Sequence, residues 1–255
     1  MAFLRHPFAI CCLLAASALV LDACERAQEP QQVLSQATAL AQQGKYTEEE
    51  NLLRRQLKAS AGVKDRQLRT AMLDMMLSDS LCRQNKFAQA EAAANEAVAI
   101  YENRFGKTDV QVAEPLDRLR HVYYKEEQYE KAEFVARHAL AILQRLPDRK
   151  DPRLEFAISH VLLVACRPDH QCTDEADLCH KLVEARTARF GKSAPATMQA
   201  RQQLAKALLR HGMPKQAIVV LQENVAAARE GNPAALPLAQ KELSQAKDSS
   251  AQAGH

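Results

Sequence analysis

The densest group of chemically competent side chains in the sequence is Cys166, His170, Cys172, Cys179 and His180. Three chemistries compete for it. A disulfide between Cys166 and Cys172 needs only a short turn to bring the sulfurs together. Cys172 and Cys179, on one helix, would stand about 10 Å apart, beyond bridging reach. Zinc would use the same residues, but no closely paired Cys-Cys or His-His motif holds them at ligand spacing. The third possibility is buried free thiols acting as small hydrophobes, the role expected of Cys82. Cys166 with Cys172 is the favoured pair. Cys179 facing His160 across a helical hairpin could in principle form a nucleophile and base. Ordinary helix packing accounts for both residues, so the sequence assigns no catalytic residue, no metal site and no cofactor.

Gly106-Lys107-Thr108 and Gly191-Lys192-Ser193 resemble the end of a phosphate-binding loop. That loop needs a further glycine to open its backbone donors around phosphate, and Tyr101 and Arg186 occupy those places. The segments read instead as loops between helices, with glycine ending one helix and a hydroxyl residue near the start of the next. Nucleotide is not an expected ligand.

The elements that must position these residues are helical. The chain has 255 residues, 47% hydrophobic and 25% charged, which excludes a disordered chain. Aromatic residues make up 5%, Trp is absent, and the few Gly and Pro residues fall between apolar-periodic segments, an all-α composition. The net charge of +3 shows no clustered basic run in the sequence, so nucleic acid is not an expected partner.

Arg5 and His6 precede an apolar run from Phe8 to Leu21, shorter than the ~20 residues of a membrane-spanning helix. It reads as a signal peptide. Leu21-Asp22-Ala23-Cys24 resembles the bacterial lipobox, in which the Cys is diacylated and becomes the first mature residue. Asp22 departs from that motif, since its place is usually small and uncharged. Cleavage near Ala16 to Ala18, releasing a soluble periplasmic protein, is the alternative. Both routes export the chain. Glu25 after Cys24 favours the outer over the inner membrane.

Five turn segments recur: Gln43-Gly44-Lys45-Tyr46, Gln84-Asn85-Lys86-Phe87, Glu126-Glu127-Gln128-Tyr129, His170-Gln171-Cys172-Thr173 and His211-Gly212-Met213-Pro214. Their spacing of about 42 residues marks a helical array, in which no unit can bury its apolar face alone. Small residues follow each later turn, Ala90, Ala132, Ala176 and Ala217, and let the two helices of a hairpin approach. One helical turn pair further on stand Ala97, Ala139, Val183 and Asn224. Val98, Tyr101 and Phe105 form one apolar stripe, and Leu116, Leu119 and Tyr123 another.

Ile100 to Gly106, Val112-Ala113, Leu116 to Leu119, Tyr123 and Gln128 to Glu133 resemble the tetratricopeptide repeat, in the form found in kinesin light chain. Arg189 to Lys192 and Leu204-Ala205 repeat part of that pattern, and the resemblance spans roughly residues 31 to 230. It implies an all-α, right-handed tetratricopeptide-repeat solenoid of about five helical hairpins. The expected organisation is a signal peptide over 1–23, a tether over 24–30, the array over 31–232, a capping helix over 233–248 and a disordered tail over 249–255.

The resemblance also implies that the first helix of each hairpin lines a groove for protein or peptide. That mapping selects Met72, Met75, Met76 and Arg83, then Arg118, His121, Tyr124 and Lys125, then Gln202, Lys206 and Arg210. Methionines at helical spacing serve equally as core. Kinesin light chain repeats carry asparagines that grip peptide backbone, whereas Asp117, Arg118, Ser159, Gln202 and Gln203 stand here. The functional expectation is a non-enzymatic protein-binding scaffold of the bacterial envelope, facing the periplasm and held to the membrane by lipid on Cys24. A peptidoglycan-binding module, or a zinc or redox module on the fourth repeat, are alternatives.

Overall fold

The computed structural model describes residues 30–60, 67–167, 170 and 172–252. Every regular element among them is helical. The segment read above as a signal peptide, residues 1–23, and Cys24 lie outside the described residues. The chain forms two compact units, one reaching to Ile100 and the other beginning at Tyr101.

The first unit contains α1 (Pro30–Gln42), α2 (Tyr46–Ser60), α3 (Gln67–Arg83) and α4 (Phe87–Phe105) up to Ile100. Leu53, Leu73 and Leu81 are fully buried, and Ala90, Ala94 and Ala97 are buried with no exposed surface. Alanine at those places lets α4 pack close to α3, and Ser78 Oγ donates to Ala90 O at 2.9 Å across that contact. Glu50 of α2 accepts from Lys86 at 2.7 Å and from Gln84 at 3.1 Å, which ties the first hairpin to the turn of the second.

The second unit holds the last turn of α4, then α5 (Ala113–Lys125), α6 (Tyr129–Leu143), α7 (Pro152–Ala165), α8 (Glu175–Phe190), α9 (Pro195–Arg210), α10 (Pro214–Gly231) and α11 (Leu236–Gln252). Val122, Ile158, Val161, Val164 and Leu182 anchor its core. Asp151 caps α7 by accepting from Arg153 N at 2.9 Å, with Pro152 in the first turn. That is the expected helix start, an acceptor for orphan amides followed by a residue with preset φ. The expected five hairpins are present: α1–α2, α3–α4, α5–α6, α7–α8 and α9–α10. A closing helix, α11, follows the short 3-10 turn Pro233–Ala235 and runs to Gln252, past residue 248 where a tail was expected.

Four hairpin turns close in the same way. Lys45 N donates to Leu40 O at 2.9 Å, Lys86 to Leu81 at 2.9 Å, Gln128 to Tyr123 at 2.8 Å and Met213 to Leu208 at 2.8 Å. The residue before each donor is left-handed: Gly44 (φ 72°), Asn85 (59°), Glu127 (62°) and Gly212 (69°). This satisfies the last carbonyls of the first helix, and glycine meets the backbone demand without steric cost. The turn between α7 and α8 is built differently. Cys166 and Cys172 are joined as a disulfide, with Cα atoms 4.8 Å apart.

Candidate protein-binding cleft

Within the second unit, α5 and α7 form the two walls of a cleft of about 430 Å³, and α6 forms its floor. The floor is apolar and small: Ala136, Ala139 and Leu143. Small residues there follow from the repeat, because the same positions must let α6 pack against both neighbours. The walls are charged. Asp117, Arg118 and Arg120 come from α5, and Arg153, Phe156 and His160 from α7.

Asp117 organises the walls. It accepts from Arg120 Nε at 2.7 Å and from His160 Nδ1 at 2.7 Å, linking α5 to α7. Burial opposes its ionisation, but the His160 hydrogen bond and the Arg120 charge outweigh burial and hold the carboxyl well below the usual carboxylate range. Arg120 is 5% exposed, and its Nη1 is buried with no hydrogen-bond partner among the described residues. A guanidinium donor in that state is a cost of folding. Phe156, one turn before His160, is 56% exposed beside the apolar floor. Arg153 is held by Asp151 at 2.7 Å and does not swing freely.

The residues expected to line a groove divide among several places. Arg118 is in the α5–α7 cleft. His121 is half-buried and Lys125 exposed further along α5, while Tyr124 packs edge-on against Tyr129, with ring centroids 5.9 Å apart. Gln202 and Lys206 line a second cleft of about 300 Å³ between α9 and α11, floored by Leu221 of α10. Arg210 points away to an ion pair with Glu175. In the first unit Met72 is exposed, Met76 is half-buried, and Arg83 lies 5.5 Å over the Tyr46 ring. Met75 corrects the expectation: at 6% exposure it is core. At about 100° per residue it stands roughly 60° around the helix from Met72 and roughly 100° from Met76, enough to turn it onto the buried face.

The sequence reading missed Arg120, Arg153, Phe156 and His160 as cleft residues. The available signal was on α7, where Phe156, His160 and Leu163 share one stripe, and Phe156 and Leu163 both remain exposed. Cys179 is buried, and burial, with Glu175 adding and Arg210 opposing, pushes its thiol up to about 11. Burial thus favours the protonated thiol, and His160 Nδ1 is engaged with Asp117 at 2.7 Å. The described residues hold no cluster of three or more His, Cys, Asp or Glu side chains able to take a metal ion.

Successive helical hairpins closed by a common turn, with a cleft between first helices, define an α-helical repeat protein. The family model of the tetratricopeptide repeat matches residues 69–145, the stretch from α3 to α6. The fold of the chain is likewise that of tetratricopeptide-repeat structures. Nearly identical TPR-like repeats ascribed to a kinesin light chain of Podosopora anserina are similar with a TM-score of 0.64 and 16% identity, over 80% of this chain and 99% of that one. A single-residue variant of the same repeats gives a TM-score of 0.63 at 16% identity, over 79% and 97%. The apo form of RapI is similar with a TM-score of 0.53 and 11% identity, over 94% and 91%. No curated protein matches the sequence.

Proposed function

We propose that the chain is a non-enzymatic scaffold of the bacterial cell envelope that seats a segment of a partner protein in the α5–α7 cleft. The carrying observation is the combination there of an unpartnered, buried Arg120 donor with the exposed Phe156 ring on an apolar floor. A partner segment laid on the floor would cover Phe156, and turning the Arg120 guanidinium toward an acceptor on that segment would satisfy Nη1. Fold alone would not assign this, since repeat folds host many partners.

Export and a lipid on Cys24 complete the reading, supported by the apolar run and lipobox-like ending of the N-terminal sequence. The scaffold would then work at the periplasmic side of the outer membrane.

Site-specific photocrosslinking in a Gram-negative host tests the cleft. A crosslinker replacing Phe156 is expected to give a discrete adduct that Arg118→Ala diminishes at least tenfold. A crosslinker replacing Phe134, which is 74% exposed on the outer face of α6, is expected to give none. Equal adducts from both positions would refute the cleft as the binding site.

A further inference from the structure

Consecutive helices of the second unit are joined by short connections and pack side by side, so they run antiparallel. Every connection from one hairpin to the next therefore emerges at one edge: residues 106–112, 144–151, 191–194 and 232–235. Two contacts fix that edge. Glu155 in the first turn of α7 pairs with Arg186 and Arg189 near the end of α8, both at 2.9 Å. A Cβ placed on Gly231, at the end of α10, would lie 2.7 Å from Ser193 in the loop before α9.

Two corners of this edge carry the same sequence, Arg104-Phe105-Gly106-Lys107 and Arg189-Phe190-Gly191-Lys192. Their glycines share a left-handed backbone, φ 93° and 90°, which turns the chain sharply at the tip. Phe190 is 46% exposed, with the Arg189 guanidinium 4.5 Å over its ring. Between the corners, Arg149 and Lys150 are exposed on the connection 144–151. Carboxylates of the same connections face the backbone: Asp109, Asp148 and Asp151 accept from Gln111 N, Lys150 N and Arg153 N at 2.9, 2.8 and 2.9 Å. Arg104, Lys107, Arg149, Lys150 and Lys192 are all exposed at this edge, where Asp148 is the exposed carboxylate of the connections.

We propose that this edge of the second unit docks on the headgroups of an anionic phospholipid bilayer. Cations attract the negative surface at about 1 kcal/mol each, and the exposed Phe190 ring at one tip suits the headgroup boundary. Nucleic acid is read by an element that enters a groove or by a stacking platform, and this edge offers loop corners. The docking is independent of the cleft and of any acyl chain on Cys24.

The test is cosedimentation of the full chain with vesicles of phosphatidylcholine alone and of phosphatidylcholine mixed with phosphatidylglycerol. Any contribution of the N-terminal residues is common to all variants and cancels between them. The expected result is preferential, salt-sensitive partition to the anionic vesicles. Lys107→Gln, Arg149→Gln and Lys192→Gln together should lower it about 100-fold, roughly fivefold per cation. Lys131→Gln, Lys215→Gln and Lys247→Gln, at the opposite edge, should retain it, and circular dichroism should show both triple variants folded. Equal partition to the two vesicle types overturns the proposal, as does an equal loss in both triple variants. Binding to duplex DNA that the first triple variant abolishes, with vesicles ignored, also overturns it and assigns the edge to nucleic acid.

Discussion

Asp74 on α3 shows what burial does to a single carboxyl. Burial, with the Glu96 charge adding, pushes it up to about 7. Unfolded, it releases its proton near 3.9, about three units lower. The folded chain therefore binds more protons than the unfolded chain between pH ~4 and ~7, and its stability falls as pH rises through that window. Asp74→Asn removes the titration. The variant is expected to match the wild type near pH 4 and to exceed it at pH 8 by roughly 2 kcal/mol, after allowance for partial solvent screening. Urea midpoints at pH 4, 6 and 8 measure this. A wild-type midpoint that stays parallel to the variant's across the three would place Asp74 in an ordinary solvated state.

At the scale of elements, the common turn makes a second prediction. Glu127 sits at φ 62° where Gly44 and Gly212 sit at 72° and 69°. A side chain with a Cβ costs about 1 kcal/mol in that conformation. Glu127→Gly should raise stability by that order and Gly212→Ala should lower it similarly, both read from thermal midpoints. Glu155 is 8% exposed and holds α7 to α8 through Arg186 and Arg189. Its replacement by Ala removes the acceptor of the half-buried Arg186 guanidinium and leaves it only Ala196 O, and the expected loss is about 2 kcal/mol. In the hairpin closed by the disulfide, Cys166→Ser with Cys172→Ser should cost about 2 kcal/mol through loop closure. That double variant should also abolish any effect of reductant on the midpoint, whereas Cys179→Ser should leave the effect intact. The helices and their turns were legible because each is written locally, in the ~42-residue recurrence and in residues such as Ala90 and Ala217 that must be small. The cleft was less legible. Arg118 followed from the repeat pattern, but Arg120 and His160 act through Asp117, and a contact between two helices leaves no spacing rule in one sequence.

For the whole molecule, a net charge of +3 concealed an edge whose cations are separated by entire helices in the sequence and brought together only by antiparallel packing. Two attachments to a membrane are thereby proposed, an acyl group on Cys24 and the basic edge of the second unit, and they differ physically. Acyl attachment depends on buried hydrocarbon and is insensitive to salt, while the edge is screened over about 10 Å at 0.1 M salt. Expression in a Gram-negative host separates them. Wild type is expected to begin at Cys24 with acyl mass added and to float with the outer membrane at high salt, and Cys24→Ser is expected to lose both properties. Chains beginning near residue 17 without added mass would make the protein a soluble periplasmic adaptor. In that case the edge would be its sole route to the bilayer, and binding to anionic vesicles would fall entirely with salt.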